Sequence, residues 1–163
     1  MAKKRKKSKS KVPVLLVLGG IAVAGYFWLS AQIKLISFGG ISIPFQQLKD
    51  GKINLGLRLP ILNASALAAN ITGFTGFIVS PSGATVGSVF LAEPATVQRY
   101  QQNELKFNAQ IRITDLATEI GSLLIGGQLP TNWGSIMPYL KGYKLIGQLR
   151  VYGLPLPIEM PLI

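Results

Sequence analysis

With neither histidine nor cysteine among its 163 residues, this chain could do chemistry only through carboxylates, hydroxyls and lysines. The commonest general base and the commonest metal ligand are therefore missing. So are thiolate nucleophiles, zinc–thiolate sites and disulfides, and with no cysteine the redox compartment is left open. The acids are Asp50, Glu93, Glu104, Asp115, Glu119 and Glu159. Glycoside hydrolysis needs two carboxylates facing each other across a sugar. Here Asp50 falls in a turn, Asp115 at a helix cap, and Glu93 and Glu104 at strand ends, where solvated structural acids belong. No D-x-D run offers clustered oxygen ligands for calcium, and no GxxxxGK[ST] loop offers a phosphate cradle. Gly39-Gly40 and Gly126-Gly127 read as a turn and a helix end. The only Ser–Lys neighbours with catalytic letters, Ser8-Lys9 and Ser10-Lys11, sit in a charged run. Asn63-Ala64-Ser65 and Asn70-Ile71-Thr72 match the glycosylation pattern, which matters only in a eukaryotic secretory pathway. No catalytic residue, metal site or cofactor is expected.

The elements around these residues divide the chain into three: a basic tail (1–11), an apolar segment (12–33) and a body (34–163). Lys3, Lys4, Arg5, Lys6, Lys7, Lys9 and Lys11 are seven of the 17 basic residues, with no acid among them. Beyond Lys11 there are 10 basic and 6 acidic residues, so the net charge of +11 belongs mostly to the tail. From Val12 to Ile33 the chain carries no charge for 22 residues. About 20 helical residues cross a bilayer, so the spacing predicts a transmembrane helix. Its anchoring side chains are Val14, Leu15, Leu16, Leu18, Ile21, Val23, Phe27 and Trp28. Pro13 suits a helix start, and Tyr26, Phe27 and Trp28 suit the headgroup layer.

A cleaved signal peptide would share the basic start and would use Ala22-Val23-Ala24, but the apolar run continues through Leu29. A buried core helix would need a polar face, which this run lacks. Gly20 and Ala24 form a small-xxx-small pair able to pack against a second helix. The positive-inside rule then keeps the tail cytoplasmic, or interior in a virus particle, with the body on the opposite side. The tail's expected contacts are anionic lipid headgroups or nucleic acid phosphates without sequence preference. No aromatic residue is interleaved for base stacking.

In the body the hydrophobic period becomes two. Ile53, Leu55, Leu57, Leu59 and Ile61 alternate with polar or small residues in 52–62, as do Leu105, Phe107, Ala109, Ile111 and Ile113 in 104–114. These are half-buried strands. Pro60 predicts an edge or a bend. Further strands are expected at 33–38, 42–47, 68–79, 84–91, 95–99, 143–152 and 154–161, with turns at Lys49-Asp50-Gly51, Pro81-Ser82-Gly83 and Gly153. One helix interrupts them, capped by Asp115, with an apolar face of Leu116, Ile120, Leu123 and Leu124, and ended by Gly126-Gly127. A second turn is expected over 133–140. Trp133, Tyr139, Tyr143 and Tyr152 crowd the last third, either filling the end of the core or forming a contact surface; Trp133, Tyr139 and Tyr143 are the interface candidates.

The stretch INLGLRLPILNASALAANITGFTGFIVSPSGATVGSVFLAEPATVQRYQQNELKFNAQIRI (53–113) resembles a late embryogenesis abundant type 2 domain, also called a water-stress and hypersensitive-response domain. Leu59–Ala64 corresponds to the strand ending in an asparagine turn, with Asn63-Ala64-Ser65 where the family usually has Asn-Pro. Ser82–Gly87 corresponds to the glycine hairpin, and Pro94–Ile113 to the strand after it. The likeness covers roughly 50–155. It implies a mainly β, immunoglobulin- or fibronectin-like sandwich tethered by an N-terminal membrane helix, and no catalytic residues.

The functional expectation is a non-enzymatic membrane-anchored structural or adaptor protein, with other proteins as partners of the β-domain. A minor virion membrane protein linking membrane and genome to a capsid shell is a more specific alternative. A lipid-binding sandwich is another, and a hydrolase is disfavoured by the missing histidine and cysteine.

Overall fold

The structure, a computed structural model, describes the backbone of residues 14–120 and 137–163, with side chains from residue 23 to 119 and from 137 onward. Two compact units divide at Ala31/Gln32. Helix α1 (Val14–Ile33), which begins in the first and ends two residues into the second, runs 20 residues without a charged side chain, about 30 Å at the usual helical rise. Among the described residues no helix is long and apolar enough to cross a membrane; the side chains of α1 before Val23, including those of Val14, Leu15, Leu16, Leu18 and Ile21, lie outside that set. The tail cations also lie outside it.

The second unit is mainly β. Its strands are β1 (Ile36–Phe38), β2 (Ser42–Lys49), β3 (Lys52–Asn63), β4 (Ala69–Val79), β5 (Thr85–Leu91), β6 (Ala95–Val97), β7 (Gln101–Arg112), β8 (Lys144–Val151) and β9 (Leu154–Pro161). Helix α2 (Ile113–Ile120) follows β7, and a 3₁₀ turn, Met137–Leu140, precedes β8. All strands join one antiparallel sheet in the order β1-β3-β7-β5-β4-β8-β9, with β2 also on β3 and β6 also on β4. The sheet curls in a sandwich-like way, so that one face closes on itself as the core. The alternating residues of the sequence supply that core: Leu55, Leu57, Leu59, Ile61, Leu105, Phe107 and Ile111 are all nearly inaccessible. Phe74 of β4 meets Phe107 of β7 edge to face, with ring centroids 5.0 Å apart. These strands are two places apart in the sheet, so the contact crosses the concave side.

Two hairpins follow from their loop residues. Asp50 and Gly51 both have positive φ, 52° and 69°, between the paired Lys49 and Lys52. Tyr152 and Gly153 repeat this at 53° and 79° between Val151 and Leu154. Mirror-image turns of this kind match the twist of the strands they join.

Several expectations change. The segment 33–38 is not one strand, because α1 runs through Ile33 and β1 begins only at Ile36. Pro60 does not mark an edge, since β3 pairs with β7 on one side and with β1 and β2 on the other. β1 pairs with residues 61–63 and β2 with 52–58, which leaves Pro60 opposite the gap. There its carbonyl accepts the Gly39 amide at 2.8 Å, and no partner needs the amide proton that proline lacks. Ile113 and Thr114 belong to α2 instead of β7, and Asp115 lies in the first turn instead of at the cap, where its charge still suits the helix dipole. Leu123, Leu124, Gly126-Gly127 and Trp133 lie outside the described residues.

The two rims of the sheet differ. The Leu162 amide donates to the Tyr143 carbonyl, so even-numbered amides of β9 face β8 and odd-numbered ones face away. Pro155, Pro157 and Pro161 are all odd, which leaves Glu159 as the one outward amide donor of that strand. At the other rim, β2 is exposed on both faces over Phe45–Lys49, and among the described residues no strand pairs beyond it.

Candidate functional site: the apolar helix and the surfaces of the β-domain

Of the residues expected to anchor the chain, those with described side chains, Val23, Phe27 and Trp28, are 56%, 68% and 54% exposed within the chain, as is neighbouring Tyr26. The rings of Tyr26 and Phe27 stand edge to face with centroids 6.0 Å apart. Large apolar side chains left open in this way lose about 25 cal/mol per Å² relative to an apolar surrounding, which is the property an anchor needs.

The interface candidates do not form one surface. Tyr143 is buried at 2% exposure and belongs to the core. Burial, and secondarily the Glu119 carboxylate, hold its phenol above the ordinary tyrosine value. Tyr139 is half-buried and lines a cavity of about 320 Å³ with Pro81, Ser82, Glu119 and Lys141. Trp133 lies outside the described residues. Tyr152, left open between core and surface, donates its hydroxyl to the Ala68 carbonyl, and burial raises its phenol above the usual range.

The acids are held as structural groups. Glu93 pairs with Lys106 at 3.1 Å, Glu104 with Arg58 at 3.5 Å, Asp115 with Arg112 at 3.7 Å and Glu159 with Lys144 at 2.7 Å, all exposed. Exposed pairs of this kind contribute about 0–1 kcal/mol each. Glu119 accepts the Ser82 hydroxyl at 2.5 Å, and Ser82 in turn meets Ser80 at 2.8 Å. The Ser82 and Ser80 hydroxyls hold the Glu119 carboxyl below its ordinary value. The Ser80–Ser82–Glu119 chain thus ties helix α2 to the Pro81-Ser82-Gly83 turn. Among the described residues no group of acids could hold a metal ion.

The most elaborate polar site is a buried one. Asn63, at the end of β3, is fully inaccessible. Its carboxamide nitrogen donates to the carbonyls of Leu67 (2.7 Å), Val97 (2.9 Å) and Gln98 (3.2 Å). Its oxygen accepts from the Ser65 amide (3.1 Å) and hydroxyl (2.6 Å). The side chain thus ties the end of β3 to its own turn and to β6. It also removes Asn63 as a glycosylation acceptor in the folded chain, whereas Asn70 is exposed.

The outer face carries a patch the periodicity hides. Phe77 of β4 lies directly opposite Ile146 of β8 and Ser88 of β5, and Phe90 lies opposite Thr75 one row away. Phe77, Phe90 and Ile146 are 48%, 45% and 36% exposed. Their signal in the sequence is a register shift between Ile71 and Gly73. It moves Phe74, Gly76 and Ile78 inward and leaves Phe77 outward.

No protein-family model matches the chain, and no curated protein matches it. Solved structures share the fold: the chain is similar to a protein from Archaeoglobus fulgidus known from a crystal structure, at a TM-score of 0.50 and 12% identity, over 76% of this chain and 91% of that one.

Proposed function

We propose that the chain is a non-enzymatic, single-pass membrane protein that presents an immunoglobulin- or fibronectin-like domain, of the late embryogenesis abundant type 2 kind, on the side opposite its basic tail. The observation that carries this is the order of three segments: seven cations, then the charge-free helix Val14–Ile33, then a compact β-domain. The exposure of Val23, Phe27 and Trp28 supports lipid as the surrounding of α1. The excess of tail cations favours retaining the N-terminus on the cytoplasmic or particle-interior side. The non-enzymatic part rests on the missing histidine and cysteine and on the paired, solvated carboxylates. The asparagine hub at residue 63 supports the domain assignment, because it lies where the resemblance places the family's asparagine turn.

The test is alkaline carbonate extraction of full-length protein from membranes, combined with protease protection of tags at each end. Retention in the pellet, with opposite protection of the two ends, is expected. Release of the intact chain into the supernatant, or a mature form starting after Ala24, would remove the anchor.

A further inference from the structure

The strongest unassigned feature of the β-domain is a notch on the outer face where β5 leaves β7. From Gly87 onward β5 pairs with β7, Gly87 facing Ile111, whereas Thr85 and Val86 have no partner on β7. The β4–β5 register then slips between Ile78 and Val79, so Ile78 faces Gly87 but Val79 faces Thr85. The extra residue, Val86, turns into the core at 1% exposure. Bulges of this kind bend a strand and re-aim its neighbours. A side chain at Gly87 would meet the Gln110 carbonyl oxygen at 2.5 Å, so this position stays bare. Beside Gly87, on the outward side, lies a cavity of about 290 Å³ lined by Lys52, Arg112, Thr85, Ser88, Gln110 and Asp115.

Its charge is unusual for this domain. Lys49 faces Lys52 across β2–β3, and Lys52 faces Arg112 across β3–β7, so three cations follow one another along a single row. Like charges directly opposite on a sheet destabilise it. Lys106 and Lys144 are answered by carboxylates; among the described residues Lys49 and Lys52, like Lys34, Arg99, Lys141 and Arg150, have no ion pair, but of these only Lys49 and Lys52 stand directly opposite another cation. Arg112 reaches Asp115 only at 3.7 Å through Nε. The Ile113 amide donates to the Gly51 carbonyl at 3.0 Å, which pins the end of β7 beside the Lys49–Lys52 hairpin and holds the cations together.

We infer that this notch binds a phosphate-bearing anion. Lys52 and Arg112 supply charge, the Thr85 and Ser88 hydroxyls and the Gln110 carboxamide supply further donors, and Asp115 opposes them. The donors outnumber what one carboxylate can accept and suit a tetrahedral anion with three or four oxygens. Phe77, at the notch wall, would meet an apolar substituent, so the same chemistry serves free phosphate or a phospholipid headgroup. The site lies wholly within the β-domain, so it stands or falls separately from the membrane anchor.

The experiment is titration of the isotope-labelled full-length chain, in non-ionic detergent, with inorganic phosphate and then with dihexanoyl phosphatidic acid, following backbone amides. Saturable shifts at Thr85, Gly87, Ser88 and Arg112 are expected. Lys52→Gln and Arg112→Gln should each weaken the affinity about tenfold, the scale of one charge-assisted hydrogen bond. Asp115→Asn should strengthen it several-fold, on the order expected from removing a like charge. Equal affinities for the two probes would assign the site to phosphate itself, and tighter phosphatidic acid binding with added shifts at Phe77 would assign it to a lipid headgroup. Shifts confined to the tail, non-saturating shifts, or affinities unchanged in Lys52→Gln and Asp115→Asn would overturn the proposal.

Discussion

The ring of Phe74 lies across Gly147, on the neighbouring strand, so closely that a side chain at Gly147 would come within 2.5 Å of Phe74 Cζ. Gly76, paired with Gly147 across β4–β8, is covered by the same ring, which a side chain at Gly76 would strike as well. An aromatic ring thus fills space that two adjacent strands leave empty, and its other contact, with Phe107, locks the concave face. Gly147→Ala would also press on the Thr75 carbonyl oxygen at 2.6 Å, which no rotamer change relieves. The expected loss is about 1–3 kcal/mol, as for other overpacked cores. Chemical denaturation checks it, and Phe74→Leu should recover part of the Gly147→Ala loss in a double-mutant cycle. Independent, additive losses would show that the ring does not set the limit.

Asn63→Asp keeps the size of the side chain but turns its donor end into an acceptor facing three carbonyls. A buried unsatisfied group costs about 1–3 kcal/mol, and more when charged. A drop of at least that size in unfolding free energy is expected, with increased hydrogen exchange centred on Ser65–Leu67 and Val97. Wild-type stability in Asn63→Asp would refute the hub.

Alkaline stability should fall in a way that Tyr143 and Tyr152 control. Both phenols are raised in the folded state by burial, so their contribution is fully present below the unfolded value near 10 and is lost as pH rises through the folded values. Tyr152→Phe also loses the bond to Ala68, about 1 kcal/mol at neutral pH. Its melting temperature should decline less steeply above pH 10 than that of the parent. Glu119 gives the opposite limb: its lowered carboxyl stabilises above the ordinary value and loses that contribution as pH falls through the folded one. Ser82→Ala should flatten this acid limb, and parallel pH profiles for the variants and parent would contradict both assignments.

Lys52→Gln should stabilise the fold at low salt by a few tenths of a kcal/mol, because it relieves repulsion from Lys49 and Arg112 at once. The gain should shrink as salt screens the row. Thermal melts at two ionic strengths decide the matter; a loss of stability at low salt would mean that Lys52 has a partner.

The sheet's skeleton was legible because β3 keeps one face apolar for its full length and β7 does so from Leu105 onward, and the Asp50-Gly51 turn announces its own hairpin. The bulges were not legible. Each slips the register by one residue, so Phe77 and Val86 exchange the faces that simple alternation would give them. Pro60 misled because a missing amide proton marks any unpaired position, and here that position lies between two short strands instead of at a rim. The notch escaped notice for a related reason. Lys52 and Arg112 are far apart in the chain and look like ordinary outward residues until the register sets them side by side.

The unequal rims set a rule for self-association. Adding strand to strand without limit requires every copy to offer two receptive borders. The run of prolines in β9 withdraws all but one outward donor from that border, while β2 carries a single proline, Pro44, and leaves its border more open. Among the described residues a second copy is therefore expected to join border-to-like-border at β2, through a twofold axis, and such a pairing uses up the more receptive border of each partner. Growth of the sheet beyond such a pair is disfavoured.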